Sequence, residues 1–296
     1  MQSLNYATAY QQALDQQWPY VLHFGALYNT PNNQVYRWLN AQTIQVPTIS
    51  VRGRINANRD NITAAQRRYN NKWTPLTLTN HRTWDTLVHP LDIDETNQVA
   101  SIANITRVFN EEEKFPEMDA YCISKLYAEY LELGQAAGTV ELTTDNILSV
   151  FDGMMLKMSN KRVPSMGRIL YVTPEVQRLF ANAKEISRSR DILDGRTRIS
   201  TEVTAIDNVQ IVAVPPELMH TIYNFTEGWQ IGMGAKQINM LLVHPSAVIT
   251  PVKYEFAELQ RPAALSQGKW VYFEESYEDV FILANKVDGV QFNIAE

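Results

Sequence analysis

The sequence predicts an α+β protein, and three patterns predict it. β-branched residues with partial alternation fill Ile44–Arg54 and Leu76–Thr83, apolar residues at helical spacing run from Asn97 to Gln135, and strand-like runs crowd the C-terminal end. The 296 residues are 45% hydrophobic and 20% charged, enough for one large domain or two modest ones, and this composition excludes a disordered, collagenous or disulfide-built molecule. The lone Cys122 can form no intramolecular disulfide and no multi-cysteine zinc site. A net charge of -6 rules out a uniformly basic nucleic-acid coat. The N-terminus lacks a basic stretch followed by an apolar run, and no segment approaches the roughly 18 apolar residues of a membrane span, so neither secretion nor a membrane is expected. The sequons at Asn61, Asn104 and Asn224 read as chance matches.

Taken in order, residues 1–36 hold a single formal charge, Asp15, and seven aromatics: Tyr6, Tyr10, Trp18, Tyr20, Phe24, Tyr28 and Tyr36. A disordered tail has the opposite composition. Such a segment needs a surface, either its own domain or a neighbouring subunit; we read it as an intersubunit arm anchored by Tyr6, Tyr10, Trp18, Tyr20 and Phe24. Between the strands at 44–54 and 76–83 lies a polar stretch poor in large apolar side chains, which reads as a long two-stranded excursion with a polar tip. Residues 45–90 carry Arg52, Arg54, Arg59, Arg67, Arg68, Lys72 and Arg82 against Asp60 and Asp85, a net +5. Residues 91–120 reverse the sign: Asp92, Asp94, Glu95, Glu111, Glu112, Glu113, Glu117 and Asp119 stand against Arg107 and Lys114, a net -6. This asymmetry is open to three readings: two solvated faces, a nucleic-acid contact, or the excursion of one copy lying across the acidic body of the next.

The helical stretch carries one stripe of Val99, Ile102, Ala103, Thr106 and Phe109, and a second of Ile123, Leu126, Tyr127, Tyr130 and Leu133. Pro116 marks a break or restart between them, and Gly134 or Gly138 ends the second. Cys122 beside this stripe reads as a small buried side chain. Thr143 or Thr144 is positioned to cap a helix bearing Ile147, Val150, Phe151, Met154 and Met158. RILYVT (168–173) reads as a buried strand, followed by a short helix with Thr173 as cap and Pro174 at its first position. Residues 184–201 and 223–235 read as loops, and Val209–Val214 and Ile238–Val243 as strands. Further strands are expected at Val252–Phe256, Lys269–Glu274, Asp279–Ala284 and Val290–Ile294, with Asp288-Gly289 as a hairpin turn before the last.

No chemistry-bearing constellation emerges. The five histidines form no i, i+4 pair, and His244 before Pro245 reads as structural. There is no phosphate-binding glycine loop and no G-x-S-x-G elbow, and Glu111–Glu113 are adjacent and so cannot converge on one site. No catalytic residue, cofactor or metal ligand is assigned.

The order of parts, together with GRILYVTPEVQRLF (167–180), INMLLVHPSAVITPVK (238–253) and KWVYFEESYEDVFILANKVDGVQFNIAE (269–296), resembles tailed-bacteriophage major capsid proteins of the Hong Kong 97 type. The resemblance implies an α+β capsid fold with an N-terminal arm (1–40), an extended β-hairpin loop (41–92), a peripheral domain with a long spine helix (93–140), an axial α/β domain (141–248) and return strands of the peripheral domain (249–296). It implies a non-enzymatic shell protein whose pentamers and hexamers enclose double-stranded DNA without sequence-specific binding, so a basic interior is not required. The basic loop residues Arg52, Arg54, Arg59, Arg67, Arg68 and Lys72 would then contact a neighbour's Asp92, Asp94, Glu95, Glu111, Glu112 and Glu113. No long charged helical prefix precedes the arm, so a separate scaffolding protein is expected, with a portal and decoration proteins as further partners. The implied location is the virion, after assembly in the host cytoplasm. Two other readings remain at this level: an encapsulin-like cellular compartment of the same fold, and a soluble α+β enzyme.

Overall fold

The computed structural model describes residues 20–40, 42–54, 67–95, 102–183, 191–193, 196–198 and 204–296. The chain enters through a one-turn helix, α1 (Gly25–Tyr28), and a 3-10 turn at Pro31–Gln34 capped by the Thr30 hydroxyl. The short β1 (Arg37–Trp38) then pairs antiparallel with β2 (Thr43–Val51), which pairs along its whole length with β3 (Tyr69–Thr77). After a tight turn, β4 (Asn80–Val88) leaves this ribbon for another sheet. The second expected strand, Leu76–Thr83, is therefore two strand ends. Leu78 is buried at the turn between them, and Asp279 accepts hydrogen bonds from the Thr79 backbone N–H and hydroxyl. The true return strand of the hairpin is the polar 69–77, whose exposed side chains carry no core-facing alternation to reveal it.

Two short helices, α2 (Pro90–Glu95) and α3 (Ile102–Phe109), lead into the long α4 (Phe115–Glu132). Pro116 stands in the first turn of α4, the restart that the sequence allowed, and the helix runs through it without a break. A π-helical turn at Asn110–Lys114 joins α3 to α4, with the Phe115 N–H bonded to the Asn110 carbonyl five residues back. Proline has no N–H and its ring crowds the carbonyl four residues earlier; widening the preceding turn is one way a helix passes it. Gly134 (φ 77°) ends α4: its N–H bonds the Leu131 carbonyl and the Gln135 N–H bonds the Tyr130 carbonyl, a pairing that needs a left-handed residue at 134.

Helix α5 (Ile147–Asn160) starts at Asn146, and the expected threonine cap is not formed; instead the Asn146 side chain accepts from the Thr143 N–H. β5 (Ile169–Val172) is buried at every position, and α6 (Pro174–Asn182) follows with Thr173 as cap and Pro174 in the first turn, as expected. The charged excursion contains a small hairpin, β6 (Asp191–Leu193) and β7 (Arg196–Arg198). Then come β8 (Ala205–Ile206), β9 (Val209–Ala213), the small hairpin of β10 (Tyr223–Asn224) and β11 (Gln230–Ile231), and β12 (Ile238–Val243). The chain closes with β13 (Val248–Ile249), the long β14 (Val252–Gln260) and β15 (Trp270–Glu278), β16 (Phe281–Ile282) and β17 (Val290–Ile294).

The central sheet has the order β17-β12-β5-β9-β8, with β5 and β9 parallel and the other pairs antiparallel. It is covered on both faces. Ile169, Tyr171, Leu241 and Val243 pack with α1 and α4, while Leu170, Val172, Met240 and Leu242 pack with α5 and α6. Two-sided cover explains why RILYVT and INMLLV read as unbroken apolar runs. A second sheet, β14-β15-β4, lies beside α4. A third, smaller core of Ile44, Val46, Leu78, Ile249 and Phe281 holds the root of the β2–β3 ribbon.

The final strand differs from its expected role. β17 does not form a hairpin with β16; it adds to β12 at the sheet edge, while β16 pairs with β13. Residues 284–289 form a 3-10 turn, and a Cβ on Gly289 would lie 3.0 Å from the Ala247 Cβ, so the glycine serves close approach there rather than a two-residue turn. The segment read as peripheral return strands thus places its last strand in the sheet of residues 169–243.

Candidate functional site, a projecting hairpin and an acidic cavity

Three surfaces carry the residues singled out from the sequence. The first is the N-terminal segment. Tyr6, Tyr10 and Trp18 lie outside the described residues, but Tyr20 and Phe24 are placed, and on this chain's own body. Phe24 is fully buried against Tyr171, with ring centroids 4.6 Å apart. Asp119 of α4, also fully buried, accepts hydrogen bonds from the Tyr20 hydroxyl and from the backbone N–H groups of His23 (2.8 Å) and Phe24 (3.0 Å). Further along, Asn32 donates to the carbonyls of Ser246 and Val248, and Asn33 bonds Thr250. The intersubunit arm is thus corrected for residues 20–36: the aromatic side chains find their surface at home. Burial drives the Asp119 carboxyl up to about 6, against the three hydrogen bonds that favour its anion. Sequence reading counted Asp119 as one more charge of an acidic run; what marks it is its place four residues before the apolar Ile123 of the buried stripe.

The second surface is the β2–β3 ribbon. Its root is anchored by Ile44 and Val46, but from Ile49 outward every β2 residue is exposed, as are residues 69–72 of β3. Alternation sorts the distal half into two faces. Pro47, Ile49 and Val51 lie opposite Trp73, Asn71 and Tyr69 on one face; Ile49 and Val51 are 70% and 76% exposed. The other face carries Thr48 opposite Lys72 and Ser50 opposite Asn70, and continues to Arg52, whose N–H bonds the Arg68 carbonyl. Arg52, Arg54, Arg67, Arg68 and Lys72 are all exposed and make no ion pair among the described residues; Arg67 lies over the Tyr69 ring at 4.6 Å. Arg59 lies outside the described residues. Arg82, counted with this group, is elsewhere: it forms a two-point pair with Glu117 (2.6 and 3.0 Å) and donates to the Phe225 carbonyl.

The third surface is a cavity of about 790 Å³ between β4, β15, the α3–α4 helix and the β10–β11 hairpin. Its aromatic walls include Trp84 stacked on Phe109 (3.8 Å, 5°), Tyr121 and Trp229. Its charged lining is Glu113, Glu117, Glu227, Glu274 and Glu278 with Arg82 and Lys114, and Lys114 is taken by Glu274 at 2.5 Å. Glu278 is pushed up to about 7, chiefly by burial and then by Glu255, Glu117 and Asp279, with Lys114 opposing. The expected acidic counterpart is dispersed. Asp92 is exposed on α2, which also holds Asp94 and Glu95; Glu111 pairs with Arg107 at 3.3 Å; Glu112 is half-buried; of the six, Glu113 lines the cavity. Glu227, Glu274 and Glu278 were not singled out, because they sit in a loop and a strand far from the acidic run and meet it through folding alone.

Other candidate groups are structural. His244 caps a 3-10 turn by accepting from the Ser246 N–H, and Cys122 is fully buried, its thiol pushed well up by burial. Among the described residues no cluster of three or more His, Cys, Asp or Glu side chains is arranged to hold a metal, and no helix is long and apolar enough to cross a membrane.

No protein-family model matches the chain, and no curated protein matches its sequence. Solved structures match its fold. A chain of Mycobacterium phage Che8 is 14% identical with a TM-score of 0.63, covering 95% of this chain and 93% of that one. A chain of the bacteriophage PhiM1 mature capsid is 11% identical with a TM-score of 0.65, covering 95% and 89%. A chain of the capsid of Myoviridae phage XM1 is 8% identical with a TM-score of 0.58, covering 96% and 94%. The fold is the phage-capsid fold expected from the sequence, held at identities where side-chain detail has diverged.

Proposed function

We propose that this chain is the major capsid protein of a tailed bacteriophage, a structural subunit whose pentamers and hexamers close an icosahedral shell around double-stranded DNA. The observation that carries this reading is the shared fold, which extends over nearly the full length of both this chain and the phage capsid chains. The exposed distal ribbon supports it, since an isolated two-stranded ribbon is marginal in water and gains stability by lying on another surface. The division into arm, extended loop, peripheral domain and axial domain belongs to the same reading, with the arm shortened to the residues before Tyr20. A scaffolding protein, a portal and decoration proteins are its expected partners, host cytoplasm the place of assembly and the virion the destination. The role is structural, without a catalytic step.

Expression of the full chain, alone and with a candidate scaffolding protein, followed by negative-stain microscopy and nuclease protection, tests this. Closed shells, and nuclease-resistant double-stranded DNA in particles from infected cells, are expected. Particles filled with a protein cargo would place the fold in a cellular compartment, and a monomer under every condition would remove the shell role.

A further inference from the structure

Ion-pair accounting leaves two surfaces out of balance. In the cavity, Arg82 is engaged by Glu117 and Lys114 by Glu274, which leaves Glu113 and Glu227 with no ion pair among the described residues, while Glu278 shares the charge of Lys114. Carboxylates set among aromatic faces are the environment that a guanidinium occupies best: it stacks on rings, donates in a planar fork and gives up its hydration readily. On the ribbon, Arg52 and Arg68 are joined through their backbones on one face, where like charges side by side repel, and a guanidinium cannot shed its charge. Six residues of extended chain place Arg52 roughly 20 Å beyond the buried Val46. Among the described residues no carboxylate pairs with Arg52, which leaves it open to one from another molecule.

We propose that the cavity between β4, β15 and the α3–α4 helix receives a guanidinium, Arg52 or Arg68, from the distal β2–β3 ribbon of a second copy of this chain. The inference rests on the shell reading and relocates the acceptor. The acidic run at 92–112 is left aside, because Glu111 is already paired and Asp92 stands on a separate short helix. Two further observations favour the cavity. The π-helical turn at 110–114 brings Glu113 and Lys114 to its wall, and such turns concentrate at functional positions. The carboxyl groups of Glu113, Glu117, Glu227, Glu274 and Glu278 outnumber Arg82 and Lys114 in the lining, an excess that an incoming guanidinium would offset.

The test uses charge exchange at exposed positions, so that folding is spared. Arg52→Glu with Arg68→Glu should lower particle yield roughly tenfold or more, because a rejected charge pair acts against docking at every contact. Adding Glu113→Arg and Glu227→Arg to the same chain should restore it to near the wild-type level. A disulfide should also form between an Arg68→Cys chain and a Glu227→Cys chain when the two are co-assembled, visible as a dimer on a non-reducing gel. Absence of both rescue and disulfide, with wild-type shells forming and the variants folded by circular dichroism, overturns the docking and leaves the shell role standing. Failure of the wild-type chain to form any shell overturns the shell role itself.

Discussion

Asp119 shows how a single residue decides the course of a whole segment. One buried carboxylate gathers a phenol and two backbone N–H groups, and so fixes residues 20–24 across α4 and seats Phe24 on Tyr171. Phe24→Ala in the isolated subunit should cost about 3–5 kcal/mol in denaturant unfolding, the loss expected for emptying a filled core site; a loss below about 1 kcal/mol would mean that the segment is not part of this core. Glu278 acts through its proton. Its carboxyl lies at about 7 in the folded chain against 4.5 for the free group, so between these pH values the folded chain holds a proton the unfolded chain has released. Its contribution is full below 4.5 and is lost as pH rises through 7. Glu278→Gln should stabilise the isolated subunit at pH 8 by on the order of 2–3 kcal/mol and flatten the slope of stability over this window. An unchanged slope would place the titration elsewhere, Asp119 at about 6 and the raised Glu117 and Glu129 being the other carboxyls that burial lifts. Residues of this kind were hard to read from sequence. The aromatic content of residues 20–36 announced a segment in need of a surface, but the reading sought that surface on a neighbour, and the structure places it on the chain's own body. Arg168, fully buried and bonded to the carbonyls of Pro164, Met155 and Val163, was read only as the first residue of the buried strand RILYVT.

Elements were legible where burial imposes a period and obscure where it does not. The strands 169–172 and 238–243, the helix 147–160 and the capped helix after Thr173 follow directly from apolar runs, spacing and capping residues. The return strand 69–77 was missed because an exposed ribbon has no inside to pattern, and the Asp288-Gly289 signal misled because close packing against Ala247 also demands glycine. The same exposure makes the ribbon separable from the fold. Reversing Arg52, Arg54, Arg67 and Arg68 to Glu should leave the melting temperature of the subunit within a few degrees, since surface charges away from partners contribute little, while assembly fails in sedimentation or microscopy. Normal shells from this variant would remove charge complementarity from the account.

At the scale of the molecule, the fold is a two-faced central sheet with a long helix on one side, a second sheet beside it and one ribbon projecting from a small anchored root. Apolar patterning carried the reading to an α+β protein, and the resemblance of 167–180, 238–253 and 269–296 to a known family carried it to the capsid fold. The acidic cavity was not legible: its walls come from β4, β15, the α3–α4 helix and the β10–β11 hairpin, which lie far apart in the sequence. The distal half of this ribbon is the part of the described fold that a sister copy completes. Hydrogen exchange read at residues 48–54 and 67–72, in dissociated subunits and in closed shells, tests that most directly. Fast exchange in the subunit and strong protection in the shell is the predicted result; equal exchange in intact shells and free subunits would contradict it.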